Sequence, residues 1–227
     1  MNRELNWPTI RLLIVKDWQL FQKQLAAYLL AAFVALAFLG LAKPWAFYIG
    51  SLLLIIILVA VACFAISTSL LTERKEQTLA FVMSLPVSPL DFTVAKLVGN
   101  LATFLVPFVI IGLCTALVIF STPLPNGLMV LTTLVFAHIL LAYCVSLAVA
   151  MRIESEGWNT FVMIASMVMI NPFLMAIGQL HGVSGVARGD AITWSGPVLA
   201  ILSAQLVLSL SCLAFAAWWN GRKPAFY

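Results

Sequence analysis

Long apolar runs without a charged residue alternate with short polar segments along the whole chain. Runs free of Asp, Glu, Lys and Arg extend over residues 24–42, 44–72, 97–151, 157–187 and 191–221. A helix needs about 20 apolar residues to cross a bilayer core about 30 Å thick. Four runs therefore predict one membrane-spanning helix each. The 97–151 run predicts two, because Ser121-Thr-Pro-Leu-Pro-Asn-Gly127 within it is a turn sequence.

This pattern predicts an all-α polytopic membrane protein with six transmembrane helices. The spans form one membrane domain over residues 25–219, and a short cytoplasmic tail, 220–227, follows it. The predicted spans are 25–42, 47–71, 97–120, 128–151, 160–179 and 197–219. Pro107 in the third span and Pro172 in the fifth each remove a backbone hydrogen bond, so both helices are expected to kink there.

Residues 1–24 precede the first span and follow a different pattern. Apolar side chains recur there at helical spacing, and most polar side chains fall between them. Pro8 suits the first turn of a helix, where a missing N–H costs nothing. We expect a cytoplasmic amphipathic helix in the membrane interface, with Trp7 and Trp18 at headgroup depth. An ordinary solvated helical tail is the alternative.

Composition and charge placement narrow the class of protein. Hydrophobic residues make up 63% of the chain and charged residues 9%, which excludes a water-soluble domain. Every Lys and Arg except Lys43 and Arg188 lies at a terminus or in alternate loops. The positive-inside rule then places both termini in the cytoplasm. The net charge of +4 orients helices and meets lipid headgroups, so membrane lipid and not nucleic acid is the expected partner.

Residues 73–96 form the longest polar stretch between predicted spans. Thr72 can cap a helix whose first turn is acidic, which matches the positive end of the helix dipole. Leu85-Pro86 ends that helix, and Ser88-Pro89 begins another. The expected helix–break–helix on the cytoplasmic side is suited to docking a cytosolic partner.

The same stretch resembles the loop between the second and third helices of type-2 (ABC-2-type) ABC transporter permeases. The shared pattern is E-R-K-E, then x-T-L, a hydrophobic pair, S-L-P-V-S and A-K-L. In that export family six helices follow an interfacial amphipathic helix, and this loop contains the coupling helix that fits a groove of the ATPase subunit. The resemblance implies a coupling loop over residues 73–92, with ATPase-coupling positions Glu73, Arg74, Glu76, Thr78, Leu79, Leu85, Pro86 and Ser88.

The resemblance implies a permease subunit of an ATP-binding cassette exporter, in a bacterial inner membrane, that moves a hydrophobic or amphipathic substrate. No Walker motif (GxxxxGK[ST]) occurs in the chain, so a separate cytosolic ATPase is expected to use ATP and Mg. This chain is then expected to be no enzyme and to bind no cofactor itself. Six helices form only half of a pathway, so a second copy or a paralogous permease is also implied.

Polar and soft side chains within the spans are candidates for a translocation path. His138 is the single ionisable residue well inside a predicted span, and Met167 and Asn171 lie in the fifth span. Core packing and hydrogen bonds between helices are the alternatives for these residues. Glu154 and Glu156, in the turn before the fifth span, are candidates for a second ATPase contact, with solvated surface charge as the alternative.

Two other functions stay open at this point. His138 leaves room for a haem-exporter-like permease of cytochrome maturation, and a non-transporting membrane scaffold would have the same composition. The four cysteines lie in predicted spans without CxxC spacing, so no metal site is expected. Neither an HExxH motif nor a GxSxG motif is present to indicate an intramembrane enzyme.

Reporter fusions test the predicted orientation. Because the excess of Lys and Arg holds its loops in the cytoplasm, green fluorescent protein fused after Tyr227 should fluoresce. Alkaline phosphatase, which is active only outside the cytoplasm, should be active when fused after Asn126. The opposite pair of results would reverse the topology.

Overall fold

The computed structural model describes residues 7–71, 89–153, 155–180, 183, 185–186, 189 and 191–220. These residues are mostly helical and include no strand. The helices of this described part are α1 (Trp7–Gly40), α2 (Pro44–Ile66), α3 (Pro89–Ser121), α4 (Leu128–Arg152), α5 (Glu156–Val168), α6 (Ile170–Gln179) and α7 (Gly196–Asn220). A π-helical turn, Ser67–Leu71, extends α2.

Six helical stretches of the described chain are long and apolar enough to cross a membrane. They are Ile10–Gly40, Pro44–Leu70, Thr93–Ser121, Leu128–Arg152, Glu156–Gln179 and Gly196–Trp219. The predictions of an all-α chain and of six apolar helices are therefore confirmed. The turn predicted between the third and fourth spans is also confirmed, because α3 ends at Ser121 and α4 begins at Leu128.

The first helix is continuous from Trp7 to Gly40. The structure therefore does not separate the predicted amphipathic helix from the first span at residue 24. The predicted boundary rests on the charged residues up to Lys23 and on the amphipathic pattern before them, whereas no Gly or Pro occurs between Pro8 and Gly40 to interrupt backbone hydrogen bonding. Pro8 lies in the first turn of α1, as its missing N–H favours.

The two prolines of the predicted kinks have different surroundings. Helix α3 continues without interruption through Pro107, so a kink there stays a prediction. The fifth span is interrupted at Met169, between α5 and α6, just before Pro172. Pro172 has no N–H to donate to the carbonyl of Val168 four residues earlier, which removes one bond that would hold a regular helix there.

Helix α4 is central to the bundle. It packs against α7 along much of its length and also against α5, α6, α2 and α3, while α1 packs against α2 and α3. The guanidinium of Arg152 lies 4.3 Å from the ring centroid of Trp219, so α4 and α7 end side by side. We refer to this end, where α1, α3 and α5 begin and α2, α4 and α7 end, as the base, and to the other end as the top.

Helices α1 and α2 approach closely at Gly50. A Cβ atom there would lie 2.8 Å from the carbonyl oxygen of Ala35 and 2.8 Å from the amide nitrogen of Leu39. Both are backbone atoms of α1, so they can move away only if the helices separate. Small residues permit this kind of close contact between membrane helices.

Substitution of Gly50 tests this packing. Gly50→Ala should lower the stability of the purified protein by about 1–3 kcal/mol, because the added methyl group forces α1 and α2 apart. Thermal denaturation in detergent measures the change. The matched control is Gly178→Ala in α6, where a Cβ would meet nothing within 4 Å. Equal melting temperatures for the two variants would contradict the proposed close contact.

Candidate functional site

The predicted ATPase-coupling residues lie outside the described residues. These are Glu73, Arg74, Glu76, Thr78, Leu79, Leu85, Pro86 and Ser88, and Glu154 of the predicted second contact also lies outside. The structure does describe what flanks the 72–88 segment. The π-helical turn after α2 ends at Leu71 and α3 begins at Pro89, so both flanks are at the base.

A buried ion pair joins α1 to α3 near the base. Lys96 Nζ lies 2.8 Å from Asp17 Oδ2, and the two side chains are only 5% and 8% exposed. Both residues lie within the apolar stretches Ile10–Gly40 and Thr93–Ser121. The apolar helices thus extend further toward the base than the charge-free runs do, and they include this ion pair near their ends.

Asn100 continues these polar contacts one helical turn after Lys96. Its Nδ2 donates a hydrogen bond to the carbonyl oxygen of Ala65 in α2 at 3.0 Å. Its Oδ1 accepts one from the hydroxyl of Tyr143 in α4 at 2.7 Å. Asp17, Lys96, Asn100, Tyr143 and the Ala65 carbonyl thus link four helices, and we refer to them as the basal polar network.

Aromatic packing covers the network on its side toward the top. The ring of Phe104 stacks on the ring of Tyr143, with centroids 3.9 Å apart and planes 16° apart. Asn100, Phe104 and Tyr143 are almost fully buried. Because buried hydrogen bonds in apolar surroundings are not exchanged with water, this environment holds the Tyr143–Asn100 bond in place.

The structure brings together residues that the sequence alone does not pair. Asp17, Asn100 and Tyr143 were not predicted as functional, whereas Lys96 is a matching position of the permease-like motif. The sequence contains one indication of this network. Lys96 and Asn100 lie one turn apart in a largely apolar helix and so share a face. No local pattern could find Asp17, because it is 79 positions away from Lys96.

An open apolar groove of about 700 Å³ lies between α2 and the α5–α6 pair. Met167 and Asn171, two of the three predicted path residues, both line it. A smaller cavity of about 200 Å³, formed largely by α2 and α4 toward the top, shares Ser51, Ile55 and Leu174 with the groove. The two spaces are therefore adjacent. The volume of the groove is within the range of small-molecule sites.

His138, the third predicted path residue, lines neither the groove nor the cavity. Its ring stacks on Phe173 of α6, with centroids 4.2 Å apart and planes 7° apart. Its Nε2 is buried and has no hydrogen-bond partner among the described residues. The structure therefore places Met167 and Asn171 together and His138 apart from them.

The turn between α4 and α5 also lies at the base. Glu156 is exposed in the first turn of α5, where its charge matches the helix dipole. Asn159 Nδ2 donates to the carbonyl oxygen of Ile153 at 2.9 Å, which holds the turn closed. Glu156 thus lies at the same end of the bundle as the flanks of the 72–88 segment. A second ATPase contact at this turn stays a prediction.

Six apolar helices indicate an integral membrane protein, and that is the class that the described fold defines. Within the described ranges, no three His, Cys, Asp or Glu side chains come together as a metal site. Comparison of the chain with protein-family models, with curated proteins and with solved structures gave no match.

Removal of one hydroxyl group tests the basal polar network. Tyr143→Phe keeps the ring stacked on Phe104 but leaves Asn100 Oδ1 without its donor. We expect a loss of about 1 kcal/mol of stability, measured by thermal denaturation in detergent. Tyr48→Phe, at a side chain 71% exposed, is the control and should have no effect. An unchanged Tyr143→Phe variant would show that the bond adds nothing.

Proposed function

We propose that this chain is the transmembrane permease subunit of an ABC-2-type ATP-binding cassette exporter. A separate cytosolic ATPase docks on the loop 73–92, and the substrate is hydrophobic or amphipathic. The proposal includes the cytoplasmic termini, the interfacial amphipathic helix and the bacterial inner membrane. The observation that carries it is the position of the motif between the second and third of six apolar helices.

The described contacts support a mechanical role for that loop. It connects α2 directly to α3, and those two helices are joined to each other by Asn100 and the Ala65 carbonyl near its flanks. When the ATPase closes on ATP, the loop moves with it and tilts these helices. The interruption at Met169 gives the fifth span a point at which it can bend.

The groove between α2 and α5–α6 is the substrate-facing surface in this proposal. Its lining is almost entirely apolar, with the Asn171 amide and the Ser51 hydroxyl among its few polar groups. Such a lining suits a substrate that is mainly apolar with a few hydrogen-bonding groups. Tyr48, Leu52 and Ile56 of α2 are more than half exposed there, which leaves this face open to a second permease.

The alternatives gain no support from the described contacts. A haem-exporter-like permease would use a histidine facing the substrate, whereas His138 stacks on Phe173 away from the groove. A passive scaffold has no need of an open groove lined by a polar amide. The exporter is therefore the function that the described geometry supports best.

Purification of the tagged chain from its host tests the proposal. The chain should bring down a soluble Mg-dependent ATPase. Leu85→Asp should lower the ATPase activity that is recovered with the chain at least tenfold, because a charge placed in an apolar contact weakens that contact. Glu76→Lys should act in the same direction by reversing a charge.

Leu41→Asp and Lys43→Glu are the matched controls, since both residues are exposed in the turn at the top. Both controls should keep the ATPase, and all four variants should keep the wild-type melting temperature. The proposal fails if no nucleotide-hydrolysing protein is recovered with the wild type, or if the controls lose it to the same extent.

A further inference from the structure

The basal polar network connects both flanks of the 72–88 segment to the rest of the bundle. Ala65 lies roughly two helical turns before the described end of the second span at Leu71. Lys96 lies roughly two turns after the beginning of α3 at Pro89. A force on the segment therefore reaches the network from both sides.

Cohesion alone does not explain a buried ion pair at this position. Removing two charges from water costs about as much as their attraction returns, and well-packed apolar side chains often hold helices together equally well. Ionisable residues within membrane helices are costly and mark functional positions by default. The ion pair adds a defined orientation. The 2.8 Å contact between Asp17 Oδ2 and Lys96 Nζ sets how α1 and α3 lie against each other.

We propose that the Asp17–Lys96 ion pair and the Asn100–Tyr143 hydrogen bond transmit the movement of the 72–88 segment to α1 and α4. The proposal rests on the proposed function and names four positioning residues for it. Lys96 and Asn100 lie one turn apart in α3, so they move together when α3 tilts. Asp17 then draws α1, and Tyr143 draws the central helix α4.

Movement of α4 reaches the substrate-facing groove. Helices α5 and α6 pack mainly against α4, and they form one wall of the groove. The other wall is α2, which Asn100 holds through the Ala65 carbonyl. One tilt of α3 can therefore change both walls of the groove.

A double substitution separates transmission from stability. Asp17→Leu combined with Lys96→Met replaces the ion pair by apolar side chains of similar size, and such replacements are often neutral or stabilising. The variant should keep its melting temperature and its ATPase, yet lose the joint response of α1 and α3 to nucleotide, because α1 no longer follows α3. The charge-swapped pair, Asp17→Lys with Lys96→Asp, restores opposite charges across α1 and α3 and should recover at least half of that joint response.

The response is measured as a distance between spin labels in the complete complex. Cysteines at Leu41 and Ser121, both exposed at the top, carry the labels after Cys63, Cys114, Cys144 and Cys212 are replaced by Ala. The wild-type ion pair should keep this distance nearly constant when a non-hydrolysable ATP analogue binds, because α1 follows α3, whereas the apolar pair should let the distance change. Ser166→Ala is the matched control, because it breaks a 2.8 Å contact with Ser146 between α4 and α5 outside the network.

The label distance in each variant either supports or contradicts the proposed role of the ion pair. A distance change in the apolar pair, with a constant distance in the wild type and in Ser166→Ala, supports transmission by the ion pair. A constant distance in the apolar pair, or an equal change in Ser166→Ala, overturns it. A wild-type distance change as large as that of the apolar pair overturns it as well. If no ATPase associates with the wild type, the proposed function itself fails, and this inference fails with it.

Discussion

In an apolar medium, a polar side chain must find its hydrogen-bond partner within the protein, and this requirement organises the bundle. Most hydroxyl groups in the spans meet it within their own helix, as Thr115 does by donating to the Ile111 carbonyl at 2.7 Å. Such bonds fix no relation between helices. Asp17, Lys96, Asn100 and Tyr143 instead meet it across helices, and these residues therefore determine how four helices lie together at the base.

The top of the bundle is held in a different way. Apolar side chains gain little by packing against one another where lipid tails are equally apolar, so close contact between backbones matters more. Gly50 provides that contact between α1 and α2. The nearby cavity and the open groove show that α2 and α6 are less tightly packed there. Directional bonds therefore hold the base, and close packing without directional bonds holds the top.

Local signals predicted the features that depend on local chemistry. The length of the charge-free runs predicts the six apolar helices, and the turn residues predict the boundary after Ser121. Pro172 predicts a kink in the fifth span, which is interrupted just before it. The sequence does not predict the continuity of α1, because the charged residues up to Lys23 interrupt the apolar pattern but not the helix. The partner of Lys96 could not be predicted either, since one sequence does not tell which helix faces which.

The groove restricts the chemistry of its occupant more than the exposed surface around it does. Exposed apolar side chains such as Leu52 are ordinary where lipid covers a helix, so exposure alone identifies no partner. The Ser51 hydroxyl in the groove donates to the Tyr48 carbonyl of its own helix at 3.1 Å, so it requires nothing further. Asn171 differs, because its side chain is exposed within the groove and acyl chains cannot hydrogen-bond its amide. An occupant with both apolar surface and hydrogen-bonding groups meets both conditions, which lipid tails alone do not.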